Sequence, residues 1–330
     1  MAQSQETIQR GEGSGANRTK KEEPFPLVSL VLPTFNGARY IRECIDSVLG
    51  QTLTEFELIV VVDGSTDNTE AILKAYNDPR ISILVTENRG QAAAMNTGFE
   101  IAKGAYYSWA SDDNVYLPGA FEAMTRYLDK HPDCVGVSTD CLIINGAGRV
   151  VSYAEFEWQC FLYRAEAGKR LERHRPEARI LEDVDFFLRL RHYGGPVGRI
   201  SRPYMKYRYH RNMVTVRHRG ERPLISLKVN YDYYLNGILD LDLKELFLDR
   251  LSQACLQRNF EAMDEMIAFA EEKQVPFLQD LVARNRFLHT RMGWLLNRLR
   301  IAVAGQVARL RRVSKLVKYR LLWRCYSGAP

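Results

Sequence analysis

The sequence lacks the loops through which many α/β enzymes bind phosphate. No GxGxxG follows the first strand-like segment, and no GxxxxGK[ST] occurs anywhere in the 330 residues. Loops of these two types bind phosphate through backbone amides at a helix N-terminus. Their absence argues against a dinucleotide-binding domain and against a P-loop, so a phosphorylated ligand needs another means of binding.

Long apolar runs and paired cysteines are also missing. No segment approaches the roughly 18 unbroken apolar residues of a membrane-spanning helix. Residues 1–25 contain no apolar signal-peptide core, and we expect them to form a disordered leader. The six cysteines show no CxxC pair and no zinc spacing, which favours reduced thiols. The sequence therefore predicts a cytoplasmic protein.

Acidic residues are absent from the last part of the chain. Residues 281–330 contain twelve Lys or Arg and no Asp or Glu, whereas the remainder has 34 basic and 40 acidic residues. On a helical wheel one apolar stripe consists of Val303, Val307, Leu310, Val313, Val317 and Leu321. A basic helix with such a stripe is typical of an anionic membrane interface. We expect this tail to bind the inner face of the membrane peripherally. Packing on the acidic remainder is the alternative, and no motif supports nucleic-acid binding.

Strand-like and helix-like segments alternate between residues 27 and 151. The short apolar runs "LVSLVLP" and "FELIVVVDGS" are typical of buried parallel strands. Between them, "ARYIRECIDSVLGQT" has Ile41, Cys44, Ile45 and Val48 at helical spacing. This alternation predicts an α/β fold with a mostly parallel sheet and right-handed crossovers. In such folds ligands bind at the carboxyl ends of the strands.

Polar segments follow each of the first four strand-like runs, namely "PTFNG", "DGSTDN", "ENRGQ" and "SDDN". Three of the four carry acids, and carboxylates repel phosphate unless a divalent cation lies between them. Asp112 and Asp113 in "SDDN" are the clearest case. One acid is explained by capping the helix that begins near Pro118. Two adjacent acids at the end of a buried strand favour a metal ion.

Five ordered segments between residues 26 and 210 resemble the family-two glycosyltransferases, which are nucleotide-sugar-dependent enzymes with a GT-A-type fold. They are "VSLVLPTFNGARYIRECIDSVLGQT", "FELIVVVDGSTDNT", "NRGQAAAMNTGFEIAKGAYYSWASDD", "LEDVDFFLRLRHYG" and "YMKYRYHRNMVT". One departure lies in the DxD motif of this family. With Pro118 as anchor, Ser111 stands where the first Asp is expected and Asp113 takes the position of the metal-binding carboxylate. A register shifted by one residue assigns that position to Asp112.

The resemblance implies roles for individual residues. Asp183 takes the position of the general base, with Glu182 beside it as an acceptor contact. His210 takes a position that suits either a metal ligand or a phosphate contact, although an ordinary partly buried histidine is the alternative. Donor contacts are implied at Pro33, Thr34, Phe35, Asp63, Arg89, Asn96 and Asp112. Asp63 also suits a plain β-turn, and Asp183 also suits a helix N-terminus. A place in the core is the alternative for Phe35, and a solvated side chain is the alternative for Arg89.

The sequence therefore predicts an inverting glycosyltransferase that uses Mn²⁺ or Mg²⁺. We expect it to move a sugar, with UDP as the nucleotide, onto a glycan or lipid-linked acceptor. Trp158 suits an aromatic contact with this acceptor and, equally, a place in the core. Two rival functions stay open: a catalytically silent donor-binding scaffold and a sugar nucleotidyltransferase. The expected organisation is a leader (1–25), a catalytic domain (26–220), a helical region (221–280) and the basic tail (281–330).

Overall fold

The computed structural model describes residues 26–155, 159–171, 174–218, 221–235 and 242–290, together with a few positions between 293 and 302. Three predicted features lie outside these residues: the leader, Trp158 and the apolar stripe that begins at Val303. None of the helices in the described part of the chain combines the length and the apolar character needed to cross a bilayer.

One sheet of nine strands forms the centre of the described part of the chain. The strands are β1 (Val28–Thr34), β2 (Phe56–Asp63), β3 (Ile81–Thr86), β4 (Tyr106–Trp109), β5 (Val115–Tyr116), β6 (Gly136–Asn145), β7 (Val150–Ala154), β8 (Phe161–Arg164) and β9 (Val197–Tyr209). Their order is β3-β2-β1-β4-β8-β6-β9-β5, with β7 paired to β6. Only β5, β7 and β8 run against the other strands. The prediction of an α/β fold with a mostly parallel sheet is therefore confirmed.

Helices cover the sheet and extend beyond it. They are α1 (Ile41–Leu49), α2 (Thr69–Lys74), α3 (Gln91–Ile101), α4 (Ala120–Lys130), α5 (Ala165–Arg170), α6 (Glu182–Arg189), α7 (Val214–Arg217), α8 (Arg222–Leu235), α9 (Leu243–Leu256), α10 (Phe260–Glu272) and α11 (Leu278–His289). A 3₁₀ segment (Pro176–Leu181) precedes α6 and a π-helical turn (Leu190–Gly194) follows it.

Two apolar cores lie on the two faces of the sheet. On one face, residues of β1 and β2 such as Leu30 and Leu58 pack against Ile41 and Ile45 of α1. On the other face, Val31 belongs to a second cluster that includes α3 and α6. Because successive side chains of a strand point to opposite faces, a strand covered on both faces is apolar throughout. This explains the unbroken apolar runs of β1 and β2.

The C-terminal helices α8 to α11 share a third apolar core. The boundary expected at residue 281 falls within α11. Leu281 and Leu288 of this helix are fully buried in the third core. The first turns of the basic segment thus pack within the helical region, whereas residues 303–330 are not described.

Candidate active site

The loops that follow β1 and β4 meet at the carboxyl edge of the sheet. The Thr34 hydroxyl donates a hydrogen bond to Asp112 Oδ2 at 2.5 Å. Gly37 lies so close that a Cβ atom added there would stand 2.1 Å from the same oxygen. The absence of a side chain at Gly37 therefore lets the Asp112 carboxylate fit against the β1–α1 loop.

Hydrogen bonds also join the loops after β1 and β2. Asn36, which has a positive φ of 55°, accepts hydrogen bonds through Oδ1 from the Thr66 and Asp67 amides at 2.8 and 3.2 Å. The Ala38 amide donates in return to Asp67 Oδ2 at 3.1 Å. Phe35, in the first of these loops, is 48% exposed. It is therefore not a core residue, which was the alternative to its predicted role as a donor contact.

Asp113 and His210 lie side by side. The distance between Asp113 Oδ2 and His210 Nε2 is 2.9 Å, and His210 Nδ1 accepts a hydrogen bond from the Asn212 amide at 3.2 Å. Because Nδ1 is an acceptor, the ring proton on Nε2 points to Asp113 when no metal is bound. A cation bound at Nε2 would displace this proton to Nδ1 and end the contact with the Asn212 amide. The Tyr40 ring lies 5.1 Å from the His210 ring and limits its movement.

The two adjacent acids lie in an environment that disfavours their charge. Burial, followed by the neighbouring Asp113, raises the pKa of Asp112 to about 7. Burial also raises the pKa of Asp113, although His210 opposes this effect. A bound divalent cation would reverse both effects.

The side-chain oxygen of Asp113 and the ring nitrogen of His210 suit a divalent metal ion in part. Carboxylate oxygen suits Mg²⁺ and Mn²⁺, and imidazole nitrogen suits transition metals. No group of three metal-ligating side chains occurs in the portion of the chain described here. Asp113 and His210 would therefore supply two ligands, and the others would be water and substrate oxygens.

Arg208 fixes the loop that carries these acids. Its Nε donates to the Asp113 carbonyl at 2.8 Å, and its Nη2 donates to Glu43 Oε2 at 2.5 Å. The guanidinium carbon also lies 4.5 Å from the centre of the Tyr40 ring. Arg208 is only 1% exposed, so its hydrogen bonds serve the protein and it does not face a diphosphate.

Asp63 shapes the loop between β3 and α3. Its two carboxylate oxygens accept hydrogen bonds from the Arg89 and Gly90 amides, each at 2.9 Å. Asp63 is 4% exposed, and its contact with a donor base stays a prediction. The Arg89 side chain points along α3, where Nη2 lies 3.3 Å from Thr97 Oγ1.

Asn96 uses both ends of its amide to hold the backbone of His174. Asn96 Nδ2 donates to the His174 carbonyl at 2.9 Å, and the His174 amide donates to Asn96 Oδ1 at 2.8 Å. The His174 ring stacks on Phe186 at 4.4 Å and meets Trp109 edge-on at 4.9 Å. Burial lowers the pKa of His174 to about 3, so the ring is neutral. A lone histidine in the sequence carries no signal for this position.

The start of α6 presents the second pair of acids. Asp183 Oδ1 accepts a hydrogen bond from the Val184 amide at 2.7 Å, and burial raises the pKa of Asp183. Glu182 is 4% exposed, and its Oε2 has no hydrogen-bond partner among the described residues. Burial, followed by Asp183, raises the pKa of Glu182 to about 8. Glu182 is thus mostly neutral at pH 7.

Tyr207 of β9 connects the two pairs of acids. Burial raises the pKa of its hydroxyl, and the carboxylates of Asp113 and Asp183 both add to the shift. Asp113 and Asp183 therefore lie near the same side chain, although 70 positions separate them in the sequence. Burial raises the pKa of Asp183, and the charge of Arg222, at the start of α8, partly opposes this rise. The first residue of α8 therefore lies near the site. Neither Tyr207 nor Arg222 carries a local sequence signal for a place at this site.

Sequence comparison finds relatives of part of the chain. The model of "Glycosyl transferase family 2" matches residues 29–178. An uncharacterised glycosyltransferase of Rickettsia prowazekii is 49% identical over 105 residues, which are 32% of this chain and 33% of that protein. The hyaluronan synthase of Pasteurella multocida is 37% identical over 138 residues, which are 41% of this chain and 14% of that protein. The chain thus covers a third or less of the length of these two relatives.

Solved structures share the fold. TarS residues 1–349 of S. aureus, in complex with UDP-GlcNAc, align with a TM-score of 0.57 at 18% identity, over 82% of this chain and 88% of that one. The mannosyltransferase PcManGT of Pyrobaculum calidifontis, in complex with GDP-Man and Mn²⁺, aligns with a TM-score of 0.53 at 17% identity, over 87% of both chains. At this identity the likeness shows the GT-A-type fold. Residues 29–178, just under half of the chain, match the model of glycosyl transferase family 2.

Proposed function

We propose that the protein is an inverting glycosyltransferase that moves a sugar from a UDP-sugar donor to a glycan or lipid-linked acceptor. The proposal is carried by Asp113, which pairs with His210 at 2.9 Å, and by Asp183, whose charge acts with that of Asp113 on the side chain of Tyr207. A carboxylate suited to a cation and a carboxylate suited to a base are both needed where a sugar leaves a diphosphate. The UDP-GlcNAc complex of TarS supports UDP as the nucleotide, and the hyaluronan synthase relative supports surface polysaccharide or glycolipid assembly.

Asp113 and His210 would hold a Mn²⁺ or Mg²⁺ ion. When bound, such an ion neutralises charge on the departing nucleoside diphosphate. Asp112, which Thr34 orients, lies beside this position as a contact to the donor ribose or to a water molecule on the metal. Phe35 is exposed near the same edge of the sheet and would pack on the donor base.

Asp183 would accept the proton of the acceptor hydroxyl as that oxygen attacks the anomeric carbon. A carboxylate whose pKa is raised by burial is a stronger base than an exposed one, which suits this role near neutral pH. Glu182, mostly neutral at pH 7, can donate a hydrogen bond to the acceptor. No carboxylic acid would be needed to protonate the leaving group, because a nucleoside diphosphate is stable as an anion, and an ion held by Asp113 and His210 would supply further charge neutralisation.

Two substitutions test these roles separately. Asp113→Ala should abolish Mn²⁺-dependent hydrolysis of UDP-sugars, since the variant loses a ligand. Asp183→Asn should reduce transfer to an acceptor about 10²- to 10⁴-fold, the usual contribution of a general base, and should leave UDP binding unchanged. Asp133→Asn, which alters an exposed carboxylate after α4, is the matched control. Normal transfer by Asp183→Asn would refute the base assignment.

A catalytically silent scaffold is the second candidate, because Ser111 replaces an acid in the DxD pattern. A scaffold would bind UDP-sugars in calorimetry without hydrolysing or transferring them. A sugar nucleotidyltransferase is disfavoured, because the loop after β1 is "PTFNG", which is neither glycine-rich nor basic. If the protein released pyrophosphate from UTP and a sugar 1-phosphate, the nucleotidyltransferase function would be supported instead.

For the basic tail, we propose peripheral binding to the anionic inner face of the membrane. Because Leu281 and Leu288 pack within the helical core, a truncation after residue 302 removes the apolar stripe and spares that core. Full-length protein should float with anionic liposomes, and the truncated protein should not. Equal flotation of the full-length and the truncated protein would refute membrane binding by the tail.

A further inference from the structure

A cavity lies at the other end of β4 from Asp112 and Asp113. It has a volume of about 430 Å³, and Arg164, Arg170, Arg175 and Arg189 contribute to its wall. Arg164 is the cross-strand partner of Tyr106, the first residue of β4, whereas Asp112 follows the last residue of that strand. Four strand residues span about 13 Å, so the two places lie at opposite edges of the sheet.

Two of these arginines are held in place by the fold. Arg189 is 2% exposed and donates through Nε and Nη2 to Asp185 Oδ2, at 3.0 and 2.7 Å. The hydrogen bonds of Arg164 go to backbone carbonyls, which carry no formal charge, among them those of Cys134 at 3.0 Å and Leu128 at 2.8 Å. Their guanidinium groups are therefore fixed at the wall of the cavity before any ligand arrives.

The other two arginines stand at the entrance. Arg170, the last residue of α5, and Arg175 are both exposed, and neither forms an ion pair with another described residue. Glu166 is the one acid among the described residues that line the cavity. The wall thus carries more positive than negative charge, even after Asp185 is counted against Arg189.

The rest of the wall is apolar or aromatic. Val135 and Leu171 line the cavity, and Tyr193, which is 64% exposed, stands beside it. A volume of about 430 Å³ is within the range of small-molecule sites and exceeds what a lone ion needs. Planar guanidinium groups match the geometry of phosphate oxygens, and an aromatic ring gives an apolar group a surface to pack on.

We propose that this cavity binds a small phosphate-bearing molecule whose remaining part is apolar or ring-shaped. The phosphate would lie between Arg170 and Arg175, and the remaining part would contact Tyr193 and Leu171. This site is separate from the donor site, and its existence does not depend on the reaction proposed above.

Phenyl phosphate is a suitable probe, because it combines a phosphate group with a ring. Calorimetry of the full chain, at low ionic strength and with EDTA to remove metal, should show saturable binding of phenyl phosphate and none of phenol. The double variant Arg170→Gln/Arg175→Gln should bind at least tenfold more weakly. Both positions are exposed, so the variant should fold.

The matched control is Lys74→Gln/Arg126→Gln, which removes two positive charges from exposed helical ion pairs elsewhere. This control should bind phenyl phosphate as the unaltered protein does. Absence of saturable binding would overturn the proposal, as would equal binding by the two double variants. Asp113→Ala, which alters the candidate donor site, should also bind phenyl phosphate as the unaltered protein does, and a loss of binding in this variant would assign the signal to the donor site and overturn the proposal.

Discussion

Replacing Asp112 with asparagine should stabilise the metal-free protein at alkaline pH. In the folded protein the pKa of Asp112 is raised from 3.8 to about 7. A carboxyl group with a raised pKa contributes stability that is complete below its unfolded pKa and is lost as the pH rises through its folded pKa. The free energy of unfolding should therefore fall between about pH 4 and about pH 7 in the unaltered protein, and less so in Asp112→Asn.

The size of the effect follows from the two pKa values. The difference between 3.8 and about 7 corresponds to about 4 kcal/mol. Because Asp112 is partly exposed, solvent screening reduces the expected gain to about 1–3 kcal/mol. An asparagine Oδ1 can still accept the hydrogen bond from Thr34, so this contact is retained.

Urea unfolding with EDTA, at about pH 4.5 and about pH 8, measures the effect. Asp112→Asn should exceed the unaltered protein in stability at the higher pH and match it at the lower pH. Asp133→Asn, at an exposed position, should follow the unaltered protein at both. Saturating Mn²⁺ should stabilise the unaltered protein more than the variant. Equal stability of the unaltered protein and Asp112→Asn at about pH 8 would refute the account of unfavourable carboxylate burial.

Three further outcomes follow from the same geometry. Arg208→Met should lower the free energy of unfolding by about 1–3 kcal/mol in urea titrations, because the Asp113 carbonyl loses its hydrogen-bond donor. An unchanged free energy of unfolding would contradict the role of Arg208 in fixing this loop. Asn96→Ala should lower the free energy of unfolding by about 1–3 kcal/mol, because it leaves the backbone amide and carbonyl of His174 unpaired. The affinity for UDP in calorimetry should change by no more than about twofold. A large loss of UDP affinity without a loss of stability would instead favour a direct donor contact. Gly37→Ala should weaken Mn²⁺ binding, because the added Cβ atom displaces Asp112. Thermal unfolding checks that the variant keeps its fold. Unchanged Mn²⁺ affinity would contradict the close packing of Gly37 against Asp112.

The first half of the fold could be read from the sequence because its signals are local. The apolar runs of β1 and β2 and the helical spacing of α1 each depend on nearby residues, and the structure confirms them. The strands β8 and β9 were missed for the opposite reason. β9 carries basic residues such as Arg199 and Arg202 on a partly exposed face, so its pattern is that of a loop. Only its long pairing with β6 makes it a strand.

The same distinction between local sequence signals and tertiary contacts applies to the candidate site. The sequence by itself determined which residue types follow each strand. Because parallel strands bring their carboxyl ends to one edge of the sheet whatever their order, it also determined that these residues lie at that edge. Only the tertiary structure decided that Asp113 meets His210 and that Arg208 is a buried clamp. It also decided that Asn96 holds the backbone of His174, and that Tyr207 lies near both pairs of acids. These contacts join segments about 80 to 100 residues apart in the chain, and no local preference specifies them. They arise from the order in which the strands pair and the side chains pack.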